Sequence, residues 1–218
     1  MSSSLRALVR ISAYLALTAI LVPFQALALK VNKALSVRLP IFYHRCCAGL
    51  LGFHIRVSGK IYADGPVLFA SNHTSYSDIA ILGSLLPASF VAKAEVARWP
   101  LFGLLAKLQR TVFVDRRATK ATKQRDEMIG RLEVGENLIL FPEGTSSDGN
   151  AVLPFKSALF SVAQVEPHGQ PLLVQPVSLA YTLLDGMPVG RALRPYFAWY
   201  GEMMLAPHFW KVAGLGRA

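Results

Sequence analysis

Between Arg10 and Lys30 the chain passes through residues 11–29 without a single charge. As a helix that run would rise roughly 29 Å, about the hydrocarbon thickness of a bilayer. Such a stretch must be covered by lipid or by the core of a large domain, and 218 residues supply one sizeable core rather than two. Pro23 is expected to kink the helix. Ala26-Leu27-Ala28 also resembles a secretory cleavage site, but Lys30, Lys33 and Arg38 follow directly, which favours a retained anchor. A second apolar stretch, residues 40–53, is interrupted by His44 and Arg45 and reads as an interfacial or re-entrant helix. Residues 1–53 are therefore expected to be N-terminal membrane-anchoring helices, and residues 54–218 one domain. That domain stops soon after a strand and a short helix near Pro207, which leaves room for a further element.

The net charge of +10 is concentrated at this front end: eight basic residues and no acidic one precede Asp64. A basic region can face nucleic acid or an anionic membrane. Cations flanking an apolar run select the membrane and argue against nucleic acid. Cys46 and Cys47 are adjacent and poorly placed to bridge each other, so a reducing compartment fits. Without a spaced Cys/His cluster no metal site is expected.

From His54 the pattern becomes that of alternating strands and helices, an α/β domain with a mixed buried sheet flanked by helices. Strands are expected over residues 54–59, 66–70, 89–92, 111–114, 138–141, 172–181 and 195–200, and helices over 99–108, 119–132 and 156–165. Three polar clusters sit at the ends of buried strands: residues 72–78, 110–117 and 141–149. Open α/β sheets place their ligands at strand ends. In the first cluster, His73 precedes Asp78 by five residues. Neutral imidazole beside a carboxylate can take a proton from a hydroxyl, provided the chain turns between them; Ser75 or Ser77 would then cap the next helix. The same spacing also fits a capping turn around a buried histidine, and residues 141–149 alone read as a turn.

In order and spacing, however, the clusters resemble the glycerolipid acyltransferase family that includes the 1-acylglycerol-3-phosphate acyltransferases. The first motif, Asn-His followed after four residues by Asp, is matched by Asn72, His73 and Asp78. The second, an arginine closing a Phe-aliphatic strand, is matched by Phe113, Val114 and Arg116. The third, Phe-Pro-Glu-Gly-Thr, is matched residue by residue by Phe141, Pro142, Glu143, Gly144 and Thr145, and a fourth, a proline in a buried strand, by Val174-Gln175-Pro176-Val177. The resemblance spans residues 54–200.

It implies that His73 deprotonates the acceptor hydroxyl for attack on the thioester of acyl-CoA or acyl-carrier protein, with Asp78 orienting the imidazole and no cofactor required. It also implies an acceptor site drawn from Asn72, Arg110, Arg116, Glu143, Gly144, Thr145 and Ser146. The product would be phosphatidic acid made from a lysophosphatidic acid, at the cytoplasmic face of a bacterial inner membrane. Two positions depart from the pattern: Ser146 stands where arginine is frequent, and Arg110 where glycine commonly opens the second motif. Residues 92–96, 145–150 and 153–160 look like a bacterial branch that includes lyso-ornithine lipid acyltransferases, which would replace the phosphate-bearing acceptor. A thioesterase-like hydrolase and a non-catalytic binder of anionic lipid are the remaining alternatives.

Overall fold

The computed structural model of the chain describes residues 2–62, 64–115 and 118–218. Its elements are α1 (Ser4–Val31), α2 (Lys33–Leu51), β1 (Val67–Ser71), α3 (Ser77–Leu85), β2 (Ala88–Lys93), α4 (Phe102–Leu108), β3 (Val112–Val114), α5 (Ala118–Glu133), β4 (Asn137–Leu140), α6 (Ser157–Phe160), β5 (Leu173–Val177), β6 (Leu183–Leu184), β7 (Met187–Pro188) and α7 (Leu205–Gly214). The α/β expectation holds. Strands β1 to β5 form a sheet in the order β3-β2-β4-β1-β5 in which every pair is parallel. Among the described residues, antiparallel pairing is confined to the β6–β7 ribbon.

A parallel sheet covered on both faces needs apolar residues on both sides of each strand, which is why β1 and β4 read as unbroken apolar runs. Val67, Phe69, Ile139 and Phe141 point to one face and pack with Leu82 and Leu86 around α3. Leu68, Leu138 and Leu140 point to the other, where Met128 and Leu132 of α5 and Val162 cover them. Proline lacks the ladder N–H, and Pro176 is accommodated because β5 is an edge strand.

Two expected strands are absent. Residues 54–59 alternate but enter no ladder; beyond them, the Gln175 side chain bonds the Tyr62 N–H and the Lys60 carbonyl at the sheet edge and substitutes for backbone pairing. Over residues 195–200, Pro195 instead opens a 3-10 turn, Arg194–Tyr196. The helix expected over 156–165 divides into α6 and a 3-10 turn, Ser161–Gln164.

Helix α1 reverses the usual sidedness of a helix in water. Its buried stripe includes Tyr14, Thr18 and Gln25, while Leu8, Leu15, Ile20, Phe24, Leu27 and Val31 are exposed. The polar stripe is satisfied internally: Gln25 Nε2 donates to the carbonyls of Ser36 and Leu108, and Thr18 Oγ1 donates to the Tyr14 carbonyl. Asn32 alone separates α1 from α2, and its Oδ1 caps α2 by accepting the Leu35 N–H at 2.9 Å. Near its start α1 is fixed by Arg10, whose Nη1 donates to the carbonyls of Leu51, Ala213 and Leu215, at the ends of α2 and α7. By length and composition α1 is the one described helix able to cross a membrane.

Helix α2 packs in turn on α3, the helix that carries Asp78, and Gly83 makes the close approach possible. A Cβ at that position would lie 2.5 Å from Cδ2 of His44, whose buried ring is bonded through Nε2 to Gln109 at 2.8 Å. Gly83→Ala is therefore expected to destabilise the protein by about 1–3 kcal/mol through overpacking. Thermal unfolding of the detergent-solubilised protein would check this, and an unchanged midpoint would show that the α2–α3 contact is not tight.

Candidate active site

The order of the sheet places β1 between β4 and β5, so the loops leaving these three strands meet at one end. The loop after β1 carries Asn72 and His73 and runs into the first turn of α3, which carries Asp78. Its turn is fastened by Asp78, which has no exposed surface. Asp78 Oδ2 accepts from the N–H groups of Thr74 at 2.7 Å and Ser75 at 2.9 Å, and from His73 Nδ1 at 2.9 Å. Of the two serines expected to cap α3, Ser75 meets the helix start, its Oγ accepting the Ser77 N–H at 3.3 Å, although the cap position itself is Tyr76, which makes no side-chain bond.

His73 is held at three points besides Asp78. Its N–H donates to Glu143 Oε1 at 2.9 Å, its carbonyl accepts from the Ser147 N–H at 3.0 Å, and its ring stacks on Phe141 with centroids 4.0 Å apart. Since a carboxylate has no hydrogen to give, Nδ1 carries the proton, and Nε2 is left as an acceptor with no hydrogen bond among the described residues. The side chain keeps 19% of its surface exposed, enough to meet a substrate.

Tyr181, beyond β5, completes the site and was not foreseen. Its hydroxyl donates to Asp78 Oδ1 at 2.7 Å, and its ring lies flat on Phe197 at 4.9 Å. Burial first, and then the neighbouring Asp78 carboxylate, push the phenol well above its usual range, so the hydroxyl stays a donor. Nothing in the local sequence marks Tyr181, because its partner lies 103 residues earlier.

The residues expected to hold an acceptor are only partly brought together. Asn72 is engaged at both ends of its amide by the backbone of Leu179, Nδ2 to the carbonyl at 3.0 Å and Oδ1 from the N–H at 2.8 Å. Glu143 is buried, and its second oxygen accepts from the Leu153 N–H at 2.8 Å, so both residues fasten loops to one another. Gly144 lies at φ +68° beside the stem of Lys156, a conformation that favours glycine; Thr145 is exposed and Ser146 half-buried on the same turn. Arg110 is not at this end of the sheet. It precedes β3, and its guanidinium bonds Glu136 at 2.8 Å, just ahead of β4, in an ion cluster with Arg131 and Lys33. Its φ of +62° shows what a glycine at that position supplies, backbone freedom rather than room for a ligand. Arg116 lies outside the described residues.

A family profile described as acyltransferase matches residues 54–180. The lyso-ornithine lipid O-acyltransferase of Brucella abortus is 47% identical over 95% of this chain and 79% of its own length. That of Rhizobium meliloti is 43% identical over 87% of the chain and 66% of its own length. The 1-acyl-sn-glycerol-3-phosphate acyltransferase of Neisseria gonorrhoeae is 38% identical over 44% of the chain and 38% of its own length. In fold the chain is similar to the crystal structure of PlsC, the 1-acyl-sn-glycerophosphate acyltransferase of Thermotoga maritima, with a TM-score of 0.57 at 20% identity over 80% of each chain. With the Asn-His and Phe-Pro-Glu-Gly-Thr loops meeting at one end of a parallel sheet, and this extent of similarity, the chain belongs to the PlsC-like acyltransferase family.

Proposed function

We propose that this protein is a membrane-attached O-acyltransferase that moves an acyl group from a thioester, acyl-CoA or acyl-carrier protein, onto the hydroxyl of a lyso-ornithine lipid. The observation that carries the chemistry is His73, oriented through Nδ1 by a buried carboxylate and open at Nε2. Nε2 accepts the hydroxyl proton as the oxygen attacks the thioester carbonyl. The tetrahedral adduct then collapses, the carbon–sulfur bond breaks, and the proton passes from Nε2 to the departing thiolate. Ester and thiol are the products, and no acyl-enzyme is formed. Asp78 stabilises the imidazolium in between, as the carboxylate does in a serine-protease triad, while Thr74, Ser75 and Tyr181 hold it in place.

The choice of acceptor is supported by similarity to lyso-ornithine lipid O-acyltransferases over up to 95% of the chain, at 47% identity, where 1-acyl-sn-glycerol-3-phosphate acyltransferases match 44% to 52% of it at 34–38% identity. Lysophosphatidic acid remains the second reading, favoured by the similarity to 1-acyl-sn-glycerol-3-phosphate acyltransferases. Residues 1–53 act as the anchor in this proposal. The lipid-facing character of α1 and the basic residues around it support attachment to the inner membrane, with the site on the cytoplasmic side.

Three measurements test this reading. With purified protein, an acyl thioester and a panel of lyso-lipids, mass spectrometry is expected to show acylated ornithine lipid formed with kcat/KM at least about tenfold above that for lysophosphatidic acid; the reverse order would establish the phosphate-bearing acceptor. His73→Ala is expected to lower kcat roughly 100- to 10,000-fold with the fold intact, and near-wild-type turnover would remove His73 from the chemistry. For Tyr181→Phe, which leaves one oxygen of a buried carboxylate without its donor, the expected outcome is a roughly tenfold fall in kcat with little change in KM; an unaltered kcat would mean that Asp78 needs no help from beyond β5.

A further inference from the structure

Loop 141–150 does more than brace His73. At its far end Asp148 organises a tight turn, accepting the N–H of Asn150 on Oδ1 at 2.9 Å and the side-chain Nδ2 on Oδ2 at 2.7 Å. Arg194, from the segment after β7, reaches the same turn. Its Nη1 donates to the Gly149 carbonyl and to Asn150 Oδ1, both at 2.7 Å. Nε and Nη2 make no hydrogen bond among the described residues, so one nitrogen anchors the guanidinium and the remaining donors are free. The two Asn150 bonds, and after them the charges of Arg194 and Arg191, hold the Asp148 carboxyl below its usual range. A fixed cation and a fixed anion thus stand side by side at the surface.

This pair belongs to the site. Ser147 donates its N–H to the His73 carbonyl, and a Cβ on Gly149 would come within 3.1 Å of Thr74 Cγ2, so the turn lies against the residue next to His73. From Ser147 to Gly149 the chain spans at most about 7 Å. In a lyso-ornithine lipid the reacting hydroxyl, on carbon 3 of the amide-linked fatty acyl chain, is separated from the ornithine carboxylate by only a few bonds, so a head-group site must lie close to His73, as this turn does. A phosphate monoester in its place would bring no cation for Asp148 to pair with, so that carboxylate favours a zwitterionic acceptor over it.

We propose that Arg194 and the Asp148–Asn150 turn form the head-group site of the acceptor, the free edge of the guanidinium taking its carboxylate and Asp148 its ammonium. The assignment rests on the lyso-ornithine acceptor proposed above and adds to it the residues that read the zwitterion. A guanidinium presents parallel donors that match a carboxylate, so a neutral replacement loses both charge and fit.

The test uses the full chain in detergent with lyso-ornithine lipid, its carboxyl methyl ester and lysophosphatidic acid as acceptors. Wild type is expected to use the ester with a KM about 10- to 100-fold above that for the free acid. Arg194→Gln is expected to raise KM for the acid into the same range, to leave KM for the acyl donor unchanged, and to abolish the preference between acid and ester. Because Arg194 also anchors the turn, Asp148→Asn gives an independent reading. It preserves the oxygen that accepts the Asn150 N–H, and is expected to abolish the preference for the free ammonium over a δ-N-acetylated acceptor. Variants that keep both preferences, or a wild type that uses acid and ester equally, overturn the head-group site and leave the acceptor assignment standing. If wild type acylates lysophosphatidic acid and neither ornithine acceptor, the acceptor assignment falls and the head-group site with it.

Discussion

A carboxylate cut off from water must find donors, and the way Asp78 finds them shapes this molecule. Two of its partners are N–H groups of its own loop, one is the His73 ring, and the fourth is the Tyr181 hydroxyl delivered from beyond β5. The two amide bonds force the turn that brings His73 round to the start of α3. The Tyr181 bond ties that turn to the edge of the sheet. Removing the carboxylate would release the backbone and the imidazole together, so orientation of the ring and folding of the loop share one cause.

Glu143 repeats the device on the next strand. It too is buried, and it too is saturated by backbone donors, the N–H groups of His73 and Leu153. Asn72 does the same with an amide against Leu179. Three loops leaving β4, β1 and β5 are thus joined crosswise by polar side chains, each loop rigid because its neighbour is. A histidine on such a frame has little freedom left to lose, the condition under which the base proposed above would be well positioned.

How much of this was legible depended on the range of the interaction. Strands β1 and β4 could be read because burial on both faces writes an apolar run into the sequence, and His73 and Asp78 because both partners lie in one short loop. Tyr181 could not, since its place beside Asp78 follows from β5 pairing with β1, and sheet order is set by packing across the whole domain. Arg110 misled for a related reason: nearness to a strand in sequence does not say which end of the sheet a residue occupies, and Arg110 lies before β3 rather than after it. The alternation at residues 54–59 failed as a strand signal because a strand also needs a partner.

Arg10 links α1 to α7. Its guanidinium takes carbonyls from residues 203 and 205 positions further along, as well as from Leu51. During synthesis the first helix emerges with this cation among apolar neighbours, long before its principal acceptors exist. Until α7 has been made and has docked, Leu51 is the one of these three acceptors within Arg10's reach, and the rest of the guanidinium must be solvated. Final seating of α1 therefore waits for α7, a helix that leaves the ribosome some two hundred residues later.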